Sequence, residues 1–171
     1  MAVTRLNHAV LWVRDAERSA AFFVDNLGFV AKKSFPGAVF LKCDPDGPND
    51  HDLGVFSIGD DAGPPAGRTA VGMYHLAWEV PTLGELMQLR QRMVEVGALA
   101  GESDHGVSKS LYCQDPDGLE FELMWAVPPD LLDPENDPTT TAPIDWEATV
   151  ARFGAETPGH DTTLRPSPLA P

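Results

Sequence analysis

Along the first 126 residues, apolar positions alternate, then recur at helical spacing, then alternate again, and the cycle runs twice. HAVLWV (His8–Val13) and HLAWEV (His75–Val80) open the two cycles as strands. A helix start follows each. Asp15 caps the first, and Thr82 with Glu85 three residues later forms a capping box for the second. The first helix presents Phe22, Phe23 and Leu27 and stops at Gly28; the second presents Leu86, Leu89, Met93 and Val94 and stops at Gly97. A glycine just past the last apolar turn is the usual C-terminal signal. Each cycle then brings strands together around one turn type, LKCDPDG (Leu41–Gly47) and LYCQDPDG (Leu111–Gly118). In Asp-Pro-Asp-Gly the proline sets φ and the glycine supplies a positive φ. HDLGVFSI (His51–Ile58) and LEFELMW (Leu119–Trp125) close the cycles. The expected fold class is therefore α+β, with two repeated βαβββ modules over 1–60 and 70–126 making one domain, 1–126.

Composition changes the picture beyond residue 126. Nine of the sixteen prolines fall in the last 45 residues, together with eight acidic residues and only Arg152 and Arg165 as basic ones. Such a composition buries little, so 127–171 reads as an acidic, Pro-rich tail, extended or disordered in part. One segment, IDWEATVARF (144–153), has helical apolar spacing and Asp145 as a cap, and reads as a short helix. Over the whole chain of 171 residues, 26 acidic against 12 basic residues leave a net charge of −14. A phosphate backbone or anionic membrane surface would repel that charge, so neither nucleic acid nor membrane is expected as a partner. Cys43 and Cys113 are too few for a disulfide framework and lack metal or redox spacing. Both read as reduced thiols inside strands, which with the absence of a targeting segment gives a cytoplasmic expectation.

Strand parity sorts the polar residues. His8 shares a face with Val10 and Trp12, His75 with Ala77 and Glu79, and Glu120 with Glu122 and Met124. A histidine early in each module's first strand plus a carboxylate in the final strand is the donor set of a two-His-one-carboxylate site, which leaves coordination positions open. A lone strand histidine is more often a hydrogen-bonded core residue. Two internal histidines and an acid are costly to bury without a shared cation. Spacing alone leaves these two readings level. Trp12, Trp78, Phe56 and Trp125 read as core, with one or two of them available as the wall for an aromatic ligand.

LNHAVLWV, YHLAWEV and DPDGLEFEL resemble the metal-ligand strands of the vicinal oxygen chelate superfamily, which includes glyoxalase I, fosfomycin and bleomycin resistance proteins and extradiol dioxygenases. The resemblance covers residues 4–126 and implies paired βαβββ modules forming an open, barrel-like cup around a metal. By motif it implies His8, His75 and Glu122 as ligands of Fe(II), or of Mn(II) or another divalent ion, with Glu120 a neighbour. NDHDLGVF and SDHGVSKSLY further resemble motifs of the extradiol dioxygenase branch. There the residue matching His51 is the acid/base, and those matching His105 and Tyr112 line the substrate pocket. The chemistry needs such groups: a catechol gives up protons as it chelates, and a proton must be returned before the ring opens. A histidine serves both steps near neutral pH.

Departures from the pattern narrow the choice. Glyoxalase-type isomerases need a fourth ligand in the last strand of module 1, where only Asp52 stands, at the strand start. Fosfomycin-type transferases handle an anion, and the main basic candidate is Lys109. The implied function is a metal-dependent extradiol-type dioxygenase acting on a catecholic or related ortho-hydroxylated aromatic with O2. The alternatives are a small-molecule binding or resistance protein, or a metal-dependent lyase or transferase, on the same scaffold. The resemblance also implies a homodimer.

Overall fold

In the computed structural model, residues 3, 5–133 and 141–161 are described. The two sequence cycles become two sheets with one strand order. Strands β1 (Ala9–Val13), β2 (Val30–Phe35), β3 (Ala38–Lys42) and β4 (Leu53–Ser57) form a sheet ordered β1-β4-β3-β2. Strands β5 (Leu76–Glu79), β6 (Leu99–Asp104), β7 (Ser108–Gln114) and β8 (Glu120–Ala126) form a second, ordered β5-β8-β7-β6. In each sheet the first and last strands of the module pair in parallel. Each module is thus βαβββ with its own open four-stranded sheet, and the fold is α+β. Helices α1 (Ala16–Leu27) and α2 (Leu83–Glu95) follow the first strands. The Asp15 carboxylate accepts from the Arg18 N–H; Thr82 Oγ1 accepts from the Glu85 N–H and donates its hydroxyl hydrogen to the Glu85 carboxylate. Gly28, at φ 74°, ends α1 in the left-handed region that only glycine enters cheaply.

By contacts, the chain separates into two compact units, within Met1–Tyr74 plus Gln114–Leu119 and within His75–Cys113 plus Glu120–Pro171. In the first, Leu11, Val13, Val39, Leu41, Leu53 and Val55 are buried, as are Ala16, Ala20 and Phe23 of α1. Burying each of the larger side chains contributes roughly 1.5–3 kcal/mol. This unit also takes in the second Asp-Pro-Asp-Gly turn, whose Asp117 carboxylate pairs with Arg14 and Arg18. In the second unit, Leu83, Leu86 and Met93 of α2 are buried together with Leu111, Cys113, Phe121, Leu123 and Trp125.

The described part of the tail packs on the second unit. Helix α3 (Trp146–Phe153) is capped by Asp145, and Phe153 lies 5.4 Å from the Trp125 ring. Trp125 Nε1 donates to the Thr157 carbonyl, and Asp104 and Ala142 exchange backbone hydrogen bonds. Residues 134–140 and 162–171, on which much of the extended-tail expectation falls, lie outside the described residues.

Several expectations need correcting. Val94 is exposed, because burial follows Leu83, Leu86 and Met93, and position 94 lies about 100° round the helix from 93. Trp125 is core, but Trp12 is 66% exposed, on the open face of β1 with Val10. Cys113 is inside β7, whereas Cys43 sits one residue past β3. Its N–H bonds the Asp52 carboxylate instead of the strand ladder. Lys109 is buried with Nζ 2.6 Å from Asp104, so its charge is spent within the fold.

Candidate functional site

His8 and His75 hold the same place in the two modules, one residue ahead of β1 and β5. The parallel ladders extend this equivalence to the closing strands. Ala9 pairs with Leu53 and Leu76 with Phe121, so Asp52 corresponds to Glu120 and Gly54 to Glu122.

In the second unit, four of the sequence-derived candidates gather around one ring. His75 Nε2 is 3.1 Å from Glu122 Oε2, and His75 Nδ1 is 3.4 Å from Glu120 Oε1. Glu120 and Glu122 share a face because strand side chains alternate. The Tyr112 ring is 5.6 Å from His75, and its hydroxyl is 2.8 Å from His105 Nε2. Thr141 Oγ1, from the tail, lies 3.4 Å from His105 Nδ1.

In the first unit, the His8 and His51 rings are 4.5 Å apart. They end an aromatic row: His51 is 4.8 Å from Phe40, Phe40 5.6 Å from Phe56, and Phe56 5.9 Å from Trp12. Phe35 flanks Phe40 at 6.3 Å. The row runs across the face opposite the buried Leu and Val residues. Gly54, opposite Val10, is buried beneath the row: a Cβ there would be in van der Waals contact with Phe56, Phe40 and Val10 at 3.4–3.5 Å. His51 Nδ1 is 3.1 Å from the Asp50 carboxylate, so the other ring nitrogen is left to act as a base.

Around His8 lies a polar network that sequence reasoning missed. His8 Nδ1 is 2.8 Å from Asn7 Oδ1, and Asn7 Nδ2 donates to Asn49 Oδ1 at 3.2 Å. Asn49 Nδ2 donates to Asp52 Oδ1 at 2.7 Å and to the Asn7 carbonyl at 2.9 Å. Asp52 Oδ2 accepts from the Cys43 N–H and thiol. Burial pushes the Asp52 carboxyl up, but the bonds from Asn49 and Cys43 and the Lys42 charge outweigh it and hold it below its ordinary value. Burial and the same carboxylate push the Cys43 thiol up to about 11, so it stays protonated near neutral pH. The only sequence signal for this network was the Asn7-His8 and Asn49-Asp50-His51-Asp52 runs beside the candidate histidines.

These donors suit a divalent metal by type. One pair, His75 Nε2 and Glu122 Oε2 at 3.1 Å, is spaced close to the roughly 3.0 Å that separates cis ligands about 2.1 Å from one ion. Among the described residues, no group of three or more His, Cys, Asp or Glu side chains is arranged to hold a metal ion. No helix among them is long and apolar enough to cross a membrane.

Comparison with known proteins adds an independent line. The profile of the Glyoxalase/Bleomycin resistance protein/Dioxygenase superfamily matches residues 5–123. The chain is 32% identical over 120 residues to catechol-2,3-dioxygenase of Bacillus subtilis (strain 168), covering 70% of this chain and 41% of that protein. It is 36% identical over 134 residues to biphenyl-2,3-diol 1,2-dioxygenase 3 of Rhodococcus globerulus, covering 72% of this chain and 64% of that one. The chain therefore spans less than two thirds of the length of either relative. Among solved structures, lactoylglutathione lyase from Agrobacterium tumefaciens superposes with a TM-score of 0.54 at 23% identity, covering 72% of this chain and 95% of that one. That likeness speaks to the fold alone.

Proposed function

The chain belongs to the Glyoxalase/Bleomycin resistance protein/Dioxygenase superfamily, and from that premise we propose that it is an extradiol-type dioxygenase, opening the ring of a catecholic or related ortho-hydroxylated aromatic with O2. The observation that carries this reading is the contact of His51 with His8 at the end of an aromatic row. An acid/base group there adjoins a candidate ligand, on a surface suited to stacking an aromatic ring. Relatives that are dioxygenases support it.

In this reading His8, His75 and Glu122 hold Fe(II), or Mn(II) or another divalent ion. The bound ion supplies Lewis acidity toward the two ortho oxygens and an open position for oxygen. His51 takes the proton from a substrate hydroxyl at the nitrogen turned away from Asp50 and returns it before the ring opens. Tyr112, hydrogen-bonded to His105, orients the substrate oxygens. Phe40, Phe56 and Trp12 stack the ring and exclude water. The exposed aromatic row equally suits a protein that only sequesters an aromatic, which is the second reading. A homodimer and a cytoplasmic location accompany the first, to be checked by light scattering and cell fractionation.

The test is anaerobic reconstitution with Fe(II), addition of a catechol panel, then air. Oxygen uptake and a yellow ring-opened product are expected. Tight binding of an aromatic to metal-free protein with no turnover of any catechol would establish sequestration instead. His51→Ala is expected to retain metal and lose about 10²–10⁴ in rate; full activity would remove its assigned role.

A further inference from the structure

The Asp52 carboxylate, the Asn7 carbonyl and the Arg5 guanidinium together fix the orientation of every group in the network beside His8. Asp52 is a carboxylate and only accepts, so Asn49 must turn its amino group toward it. That directs Asn49 Oδ1 at Asn7 Nδ2, and Arg5 donates to the same oxygen. The Asn7 amide is then polarised with Oδ1 toward His8 Nδ1. An amide oxygen accepts only, so the hydrogen sits on Nδ1 and Nε2 keeps its lone pair.

In the second module Glu120, at the register position of Asp52, lies at an ion-pair distance of 3.4 Å from the Nδ1 of His75. In the first module the chain from Asp52 to the histidine runs through two asparagines. We propose that Asp52, acting through Asn49 and Asn7, is a positioning residue that fixes the Nδ1–H tautomer of His8 and thereby presents Nε2 as a ligand.

The tautomer stands on the hydrogen-bond chain alone, whereas its consequence for metal binding rests on the ligand assignment proposed above. Nitrogen-15 long-range correlation spectra of the metal-free full chain, at a pH where the imidazoles are neutral, read the tautomer directly. Wild type is expected to show His8 with Nδ1 protonated. Asn7→Ala and Asp52→Asn are expected to give mixed tautomers, and Asn7→Asp, which restores an acceptor-only neighbour, the wild-type signature. Asn7 is exposed, so its variants keep the test open should Asp52→Asn fail to fold. A wild-type His8 protonated on Nε2, or an unchanged tautomer in Asn7→Ala, would overturn the relay. Mn(II) titration calorimetry is the second readout, with affinity expected to fall about 10–100-fold in Asn7→Ala. A shifted tautomer with unchanged Mn(II) affinity would support the relay and remove His8 from the ligand set.

Discussion

The two modules share strand order and the placement of their leading histidine, yet they treat that histidine differently. His75 stands between two carboxylates, Glu120 and Glu122. His8 faces a neutral amide, with its register carboxylate two residues of relay away and a glycine where the second carboxylate would be. The duplicated backbone keeps the places, and the side chains divide the work. One module surrounds its histidine with carboxylates; the other sets its histidine beside a neutral amide, a second histidine and a row of aromatic rings. Gly54 leaves that row undisturbed, since a carboxylate at its position would stand among Val10, Phe40 and Phe56.

The strongest way to break the comparison is to remove the charged side. Glu122→Ala is expected to weaken Mn(II) binding at least about 100-fold by calorimetry, and Glu120→Ala only about 10-fold. Equal losses would erase the distinction between the two carboxylates. Restoring the missing charge is the next test. Gly54→Glu gives the first module the carboxylate of the second, and is expected to tighten Mn(II) binding while lowering oxygen consumption about tenfold. Unchanged oxygen consumption would show that a glycine at position 54 is not needed.

The smallest effect concerns the tail, which only the second unit carries. Burial pushes the Glu102 carboxyl up, but the hydrogen bonds from Arg90 and the Trp146 indole, with the Arg90 charge, hold it below its ordinary value. Its folded value lies below its unfolded one, so its contribution is present above the unfolded value and lost as pH falls through the folded one. Glu102→Gln is expected to cost about 1 kcal/mol or less at pH 7, an offset that shrinks as pH falls below the ordinary glutamate value of about 4.3, in urea melts. An offset that persists in acid would assign Glu102 a role independent of its charge.

Much of this molecule was readable before any contact was known. The module repeat, both helix caps and the shared face of Glu120 and Glu122 follow from signals within a few residues of one another, as does the positive φ of Gly118 in the second Asp-Pro-Asp-Gly turn, whereas Gly47 in the first turn does without one. The repeat and strand parity singled out His8, His75 and a carboxylate of the final strand, and family motifs chose Glu122 among them and added His51, His105 and Tyr112. Within the second unit, His75, Glu122, Tyr112 and His105 come together, and within the first, His8 meets His51.

What tertiary structure alone decided spans longer separations. Asn7 meets Asn49 across 42 residues, and Trp146 meets Glu102 across 44. Trp12 turned outward because its strand face carries the aromatic row, while the opposite face buries Leu11 and Val13. Periodicity fixes which residues share a face, for that depends only on the local backbone. Which face is covered, and which amide reaches which carboxylate, depends on strand register and on segments far along the chain, and these become definite only when the sheets form.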